Sequence, residues 1–321
     1  MKRFLPIVIL FFIVLPLKGQ QLPLYSQYMM NSFLLNPAVS GHDGFTTFNL
    51  TAREQWLGFE NSPRTIAFSG TTRLLRQSAM DRSGRIGRSS RRSGNVGLGG
   101  YIYNDRNGLI DRTGIQATYS YHISMGQNKQ LSFGVSLTGF QLRIDDRNLN
   151  LYDDNDPLLN SSKNALYVPD ANLGVYYREP EFYLGFSVAQ LLESALKFGS
   201  DGFKDFKMER HLYLMGGYGL FIDSEVTVEP SLLVQSTLSG MPQVDINARI
   251  YYMDDYWAGV SYRSSGAFIM MGGVRVERLY FGYAFDYTLS SIRKHSFGSH
   301  EIMVSMRFGD SARRYRWLNR Y

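Results

Sequence analysis

The sequence predicts an all-β protein. The expected architecture is a transmembrane antiparallel β-barrel of about 14 strands, with an N-terminal segment plugging or packing at the periplasmic mouth. Three observations predict it. The chain opens like an exported protein. Beyond that opening it contains no apolar run long enough for a spanning helix. From Phe45 onward, apolar and polar residues alternate in one segment after another, separated by turn residues.

The opening has the plan of a signal peptide. Lys2 and Arg3 precede an apolar run over residues 4–17, and Lys18, Gly19 and Gln20 follow. Cleavage is expected near Gly19 or Gln20, so residues 1–20 are read as signal. There is no cysteine, which excludes disulfides, thiolate chemistry and a lipidated cysteine. Hydrophobic residues make up 44% of the chain and aromatics 14%, with 31 glycines, yet the mean hydropathy is only −0.22. Strands that face lipid at alternate positions average out in this way. The formal charge of +6 falls to +3 once Lys2, Arg3 and Lys18 leave with the signal. That is little ground for a nucleic-acid partner, and none is expected; lipid of the outer membrane is the expected surround.

The strand pattern is clearest over 243–252. Val244, Ile246, Ala248, Ile250 and Tyr252 fall on one face, and Gln243, Asp245, Asn247 and Arg249 on the other. Residues 226–234 repeat it, with Glu229 opposite the apolar face. Residues 115–123 repeat it again, with Gln116, Thr118, Ser120 and His122 opposite. Over 279–289 one face is Leu279, Phe281, Tyr283, Phe285, Tyr287 and Leu289, and the other carries Gly282, Ala284, Asp286 and Thr288. The last strand, 299–308, sets His300, Ile302, Val304, Met306 and Phe308 against Glu301, Ser305 and Arg307.

Connection lengths separate a barrel from a soluble sandwich. With the N-terminus on the periplasmic side, the even connections are mostly short turns, near 126–128, 179–180, 223–224, 254–255 and 277–278. Three odd ones are long, at 145–169, 192–207 and 290–299. Short inner turns and long outer loops are the rule for outer-membrane barrels. The even connection over 76–94 breaks the rule and carries Arg82, Arg85, Arg88, Arg91 and Arg92 among Ser and Gly. It reads as a solvated basic loop, or alternatively as a periplasmic contact for anionic material or an acidic partner. The barrel is assigned to 44–309. The basic tail over 310–321 is assigned to the periplasm.

No catalytic, cofactor or metal site is predicted. The five histidines, His42, His122, His211, His295 and His300, show no metal-ligand spacing. Residues 153–156 are acidic, but Pro157 ends the run before a calcium loop could form. Ser187 lies in GFSVA, where Ala189 replaces the second glycine of a nucleophile elbow. Ser291 and Lys294 match S-x-x-K without companion motifs. The clusters Gly97–Gly100 and Gly216–Gly219 sit within strands and are read as aids to bending or close packing.

The segment 21–43 is the least regular part. Tyr25, Tyr28, Met29, Phe33 and Leu34 are costly to leave in water. Pro37 disfavours a helical Asn36, so any helix there is short and ends before it. The segment is expected to fold back into the barrel through Tyr25, Gln27, Tyr28, Asn31 and Asn36. Its expected seats are Arg53, Gln55 and Trp56, taken as part of the first strand; a membrane-interface role for Trp56 is the alternative.

Several blocks together resemble one family, PorP/SprF of the type IX secretion and gliding machinery. They are PLYSQYM (23–29) with NPA (36–38) and Gly41, REQWLGF (53–59), PRT (63–65), HLYLMGG (211–217), SYRS (261–264), GYAFDY (282–287) and GSHEI (298–302). The resemblance implies a non-enzymatic outer-membrane barrel. It also implies partners: a secreted cargo or adhesin, and peptidoglycan-associated components of the periplasm. A porin-like transporter of small solutes is the rival expectation.

Overall fold

Along β1 (Thr46–Glu54), Thr47, Asn49, Thr51 and Arg53 are buried, whereas Phe48 and Leu50 are exposed. This inverts the usual order, in which apolar side chains go inside. The inversion recurs around the molecule. Asp245 and Glu301 are each 1% exposed, while Leu137 is 71% and Ile115 61% exposed. Burying one Leu or Ile side chain is worth about 1.5–3 kcal/mol. A continuous outer belt of such residues therefore requires an apolar surround, which a bilayer supplies.

The computed structural model describes residues 22–76, 92–126, 128–144, 165–198, 203–238 and 240–309. After β1 the chain forms β2 (Arg64–Arg76), β3 (Arg92–Asn107), β4 (Ile110–Ser124), β5 (Gln130–Ile144), β6 (Ala165–Arg178) and β7 (Phe182–Ala189). Then come β8 (Ala195–Phe198), β9 (Phe203–Lys207), β10 (His211–Tyr218), β11 (Leu220–Phe221) and β12 (Val226–Thr237). The last five are β13 (Gln243–Tyr252), β14 (Tyr256–Arg263), β15 (Ala267–Val276), β16 (Leu279–Thr288) and β17 (Ser299–Phe308).

Each strand pairs antiparallel with its neighbour. The ring closes where β1 meets β17, from Thr46 opposite Phe308 to Glu54 opposite His300. Strand β10 bridges β7 and β12. The closed wall is therefore β1 to β7, β10 and β12 to β17, fourteen strands in all. Strand β11 continues the β10 ladder along β12 past Gly219, and β8 with β9 forms a separate hairpin. Closure removes every unpaired edge that lipid could not satisfy.

One end of the barrel carries the start of β1 and the end of β17, and is called here the terminal end; the other is the loop end. The parity of the connections holds. Residues 179–181, 253–255 and 277–278 are tight turns at the terminal end, and the long connections 190–210 and 289–298 lie at the loop end.

Three expectations need correction. Strand β1 stops at Glu54, so Gln55 and Trp56 are not strand residues. Trp56 sits in the left-handed region at φ 55°, which ends the strand; the N–H of Gln55 makes the last contact in the β1–β2 register, to Pro63 O at 2.8 Å. The loop expected over 145–169 is shorter, because β6 already begins at Ala165. Pro169 hid that start. It is tolerated because β7 pairs only with 173–178 of β6, leaving Pro169 laddered on the β5 side alone, opposite Gly139. The connection expected as loop over 192–207 holds the β8–β9 hairpin. The acidic run 153–156, the arginines 82–91 and the tail 310–321 lie outside the described residues. Arg92 opens β3 in register with Arg76.

Candidate functional site: the occupied lumen

The polar inner faces enclose the N-terminal segment. Residues 22–44 contribute no strand to the wall and run inside it. Two short 3-10 turns, Ser32–Leu34 and Pro37–Val39, shape the segment. Asn36 between them is extended, at φ −136° and ψ 114°, as a residue before proline should be. Its side chain accepts from Ala38 N at 2.9 Å, capping the second turn, for which Pro37 supplies a fixed φ. This second turn was not anticipated. The segment also reaches further than the mouth. Ser40 lies beside the terminal-end part of β4, and Ser26 lies near the loop ends of β1, β14, β16 and β17.

The far anchor is ionic. Arg53 bonds Asp286 at 2.7 Å and Glu301 at 3.3 Å, and Arg263 bonds Asp245 at 2.9 Å and lies 3.7 Å from Asp286. All five side chains are buried. Three carboxylates face two guanidinium groups, leaving one negative charge in excess. The segment supplies the missing donors. The backbone N–H groups of Ser26 and Gln27 donate to the two oxygens of Glu301 at 2.7 and 2.8 Å. Ser26 Oγ donates to Asp286 at 2.7 Å and accepts from Arg53 at 2.7 Å. Arg263 reaches Tyr25 O at 3.4 Å. Charge-assisted bonds of this kind are roughly twice as strong as neutral ones.

Neutral contacts hold the rest. Tyr25 and Tyr101 share a hydroxyl bond of 2.6 Å, and the Asn247 amide donates to Tyr28 OH. Asn31 donates to Ser69 Oγ at 3.0 Å. The Asn36 amide donates to the carbonyls of Val175 and Phe186, and Ser187 Oγ donates to Leu35 O at 2.6 Å. At the terminal end, Ser120 Oγ donates to Ser40 O at 2.7 Å, and His122 Nε2 lies 2.9 Å from the same oxygen. Ser187 and His122, both weighed as possible chemistry, thus bind the segment. Among the described residues no group of three or more His, Asp or Glu could hold a metal ion.

Of the residues expected to form this contact, Tyr25, Gln27, Tyr28, Asn31, Asn36 and Arg53 are buried in the lumen. Gln55 and Trp56 lie past the end of β1; the Trp56 N–H donates to Ser299 Oγ at 3.1 Å. Sequence reasoning missed Arg263, Asp245, Asp286 and Glu301 as seats. Three of them lie in sequence blocks already noted: SYRS holds Arg263, GYAFDY holds Asp286 and GSHEI holds Glu301. YSQY supplies Ser26 and Gln27, and REQWLGF supplies Arg53. Blocks scattered along the chain thus meet at one cluster.

The wall is cut to fit. A Cβ on Gly134 would lie 2.3 Å from Ala38 N, and one on Gly174 would lie 2.1 Å from Asn36 Oδ1. Both distances are below any real contact, and the backbone at Ala38 has no room to give. Gly134→Val is therefore expected to expel the second 3-10 turn. Limited proteolysis of the folded barrel should then cut within 36–41, where the native protein resists. Gly139→Val on the same strand meets only ordinary contact at 3.9 Å and serves as the control. Equal resistance in both variants would contradict the fit.

Comparison with known proteins agrees with this architecture. The profile of the type IX secretion system membrane protein PorP/SprF matches residues 17–306, nearly the whole chain. The chain belongs to the PorP/SprF family. No curated protein matches the PorP/SprF chain in sequence. Among solved structures, the toluene transporter TbuX of Ralstonia pickettii is similar at a TM-score of 0.51 and 12% identity, covering 91% of this chain and 96% of that one. The CymD monoaromatic hydrocarbon channel gives 0.47 at 10% identity, covering 90% and 94%. At such identities the TbuX likeness concerns the fold alone. A PorP/SprF chain with the barrel fold of outer-membrane channels is a membrane component of type IX secretion, and fold and family both point to the outer membrane.

Proposed function

We propose that this PorP/SprF barrel is a non-enzymatic binding and anchoring component. It holds a secreted cargo or adhesin at the cell surface and contacts envelope components on the periplasmic side. The observation that carries this reading, beyond family membership, is the lumen. It is filled by a segment docked on an ionic cluster, which suits a scaffold better than an open pore. The loop end offers the cargo side: the β8–β9 hairpin stands there, and β6 rises past β7. The terminal end, where the arginine-rich connection between β2 and β3 and the basic tail depart, offers the periplasmic side. A role in gliding falls within the same reading. Signal cleavage near Gly19 or Gln20 delivers the chain to this location.

Affinity capture from native membranes tests it. A tagged full-length chain is expected to recover type IX components or a large surface protein. Recovery of neither, from membranes in which the barrel is folded, sinks the proposal. The rival reading is a porin-like transporter of small solutes, which shares the barrel fold with TbuX. It requires an openable lumen.

A further inference from the structure

We infer that the lumen contains a peptide-binding site, and that residues 22–40 are its intramolecular ligand, docked and exchangeable rather than part of the barrel's fold. Four observations carry this. First, the hydrogen-bonded wall closes on itself without the segment, from β1 paired to β17 through β10 paired to β12. Removing the segment opens no edge. Second, the far anchor reads backbone. Glu301 takes two successive N–H groups and Arg263 takes a carbonyl, while Ser26 Oγ is the one side-chain hydroxyl seated between Arg53 and Asp286. Third, the floor is cut to the segment. Wall glycines at 97 and 134 admit the main chain of Ser40 and Ala38, and Gly174 admits the Asn36 side chain, at distances that a Cβ would forbid. Fourth, the segment joins the wall at one point. Gly41 and Gly44, with φ 66° and 80°, make the turn between Ser40 and β1. Left-handed backbone at both glycines lets the chain reverse there, and the His42 carbonyl between them accepts from Arg73 and Gln130, so the turn is held to the wall while the residues before it dock.

Exchange is easiest in the polar part of the lumen; further along the segment Phe33, Ala38 and Val39 share an apolar cluster with Phe140, Leu142 and Met215. Around the far anchor the segment's partners are charged or hydroxylic groups that water or another peptide can satisfy in its place. Aromatic anchors, Tyr25, Tyr28 and Phe33, add apolar contact. The ligand class is a peptide with an aromatic residue followed by a small hydroxylated one, whose own N–H and that of the next residue both reach Glu301. The device is autoinhibitory. While the tethered copy is docked, its local concentration excludes a free peptide.

The test uses the full chain. A protease site is inserted between Asp43 and Gly44, and the folded protein is cut in detergent. A fluorescently labelled synthetic peptide of residues 22–43 is then titrated, with anisotropy as the readout. The cut barrel is expected to take up the labelled peptide saturably, whereas the uncut protein excludes it and a scrambled peptide fails to bind. Glu301→Gln is expected to weaken uptake tenfold or more, because it removes the charge that receives both N–H groups. Three results overturn the inference. The cut segment could stay bound through excess competitor; its release could abolish the folded, heat-modifiable band; or the scrambled peptide could bind equally well. None of these outcomes depends on whether a cargo protein binds.

Discussion

Replacing Arg53 by methionine is expected to cost the folded barrel about 3–5 kcal/mol, the usual consequence of removing one partner from a buried ion pair. Arg53 touches Asp286 and Glu301 through separate guanidinium nitrogens, and it donates to Ser26 Oγ as well. Without it, three buried carboxylates face Arg263 alone. The cost is the unpaired charge rather than the lost contact. Arg53→Met combined with Glu301→Gln should therefore be less harmful than Arg53→Met by itself, since the double variant restores the original charge excess. Arg53→Lys keeps the charge count but should still fall short of native stability, because an ammonium cannot reproduce the planar fork. Denaturant unfolding of the purified barrel checks all three. If Arg53→Met unfolds at the native midpoint, or if the double variant is the least stable, the cluster does not hold the segment as described.

The barrel was legible from sequence because its signal is repeated. Lipid outside and polar groups inside force a period of two, and fourteen strands give that period many chances to show. Ends of strands were less legible. Trp56 looks like a strand residue by type, and only its left-handed backbone reveals that β1 has stopped. Pro169 looks like a loop residue, and only the one-sided pairing of β6 explains its place in a strand. The segment 21–43 was legible as something to be buried, through Tyr25, Tyr28 and Phe33. Its seats were not. Arg263, Asp286 and Glu301 each read as an ordinary inward residue of its own strand. What joins them is closure of the sheet, which brings β1, β14, β16 and β17 round to the same part of the lumen. No local pattern encodes that, although the sequence blocks that contain these residues stood out on their own.

Deleting residues 25–36 is expected to raise conductance in planar bilayers several-fold, provided the barrel still folds. The wall keeps its ladder, so the loss is confined to the lumen. There, the buried side chains of Tyr25, Tyr28 and Phe33 disappear, together with both N–H donors to Glu301. The vacated wall is mixed. Its hydroxyls, amides and charges are satisfied by water, so the space hydrates around the far anchor, whereas the apolar inner residues Tyr101, Met215, Leu233, Ile269 and Met271 lose packing partners, which adds to the cost. Two opposing effects set the net change in stability. The excess carboxylate loses its donors, which destabilises the cluster; hydration of Asp286 and Glu301 offsets part of that loss, since a wet lumen no longer imposes the dry-interior penalty. Stability is therefore expected to fall by less in the deletion than in Arg53→Met, where the segment stays and keeps the cluster dry. Comparing the two variants in one unfolding series, alongside their conductance, separates plug from scaffold. A deletion that folds and conducts no better than the native chain removes the segment as the block. One that cannot fold at all makes it an integral part of the barrel.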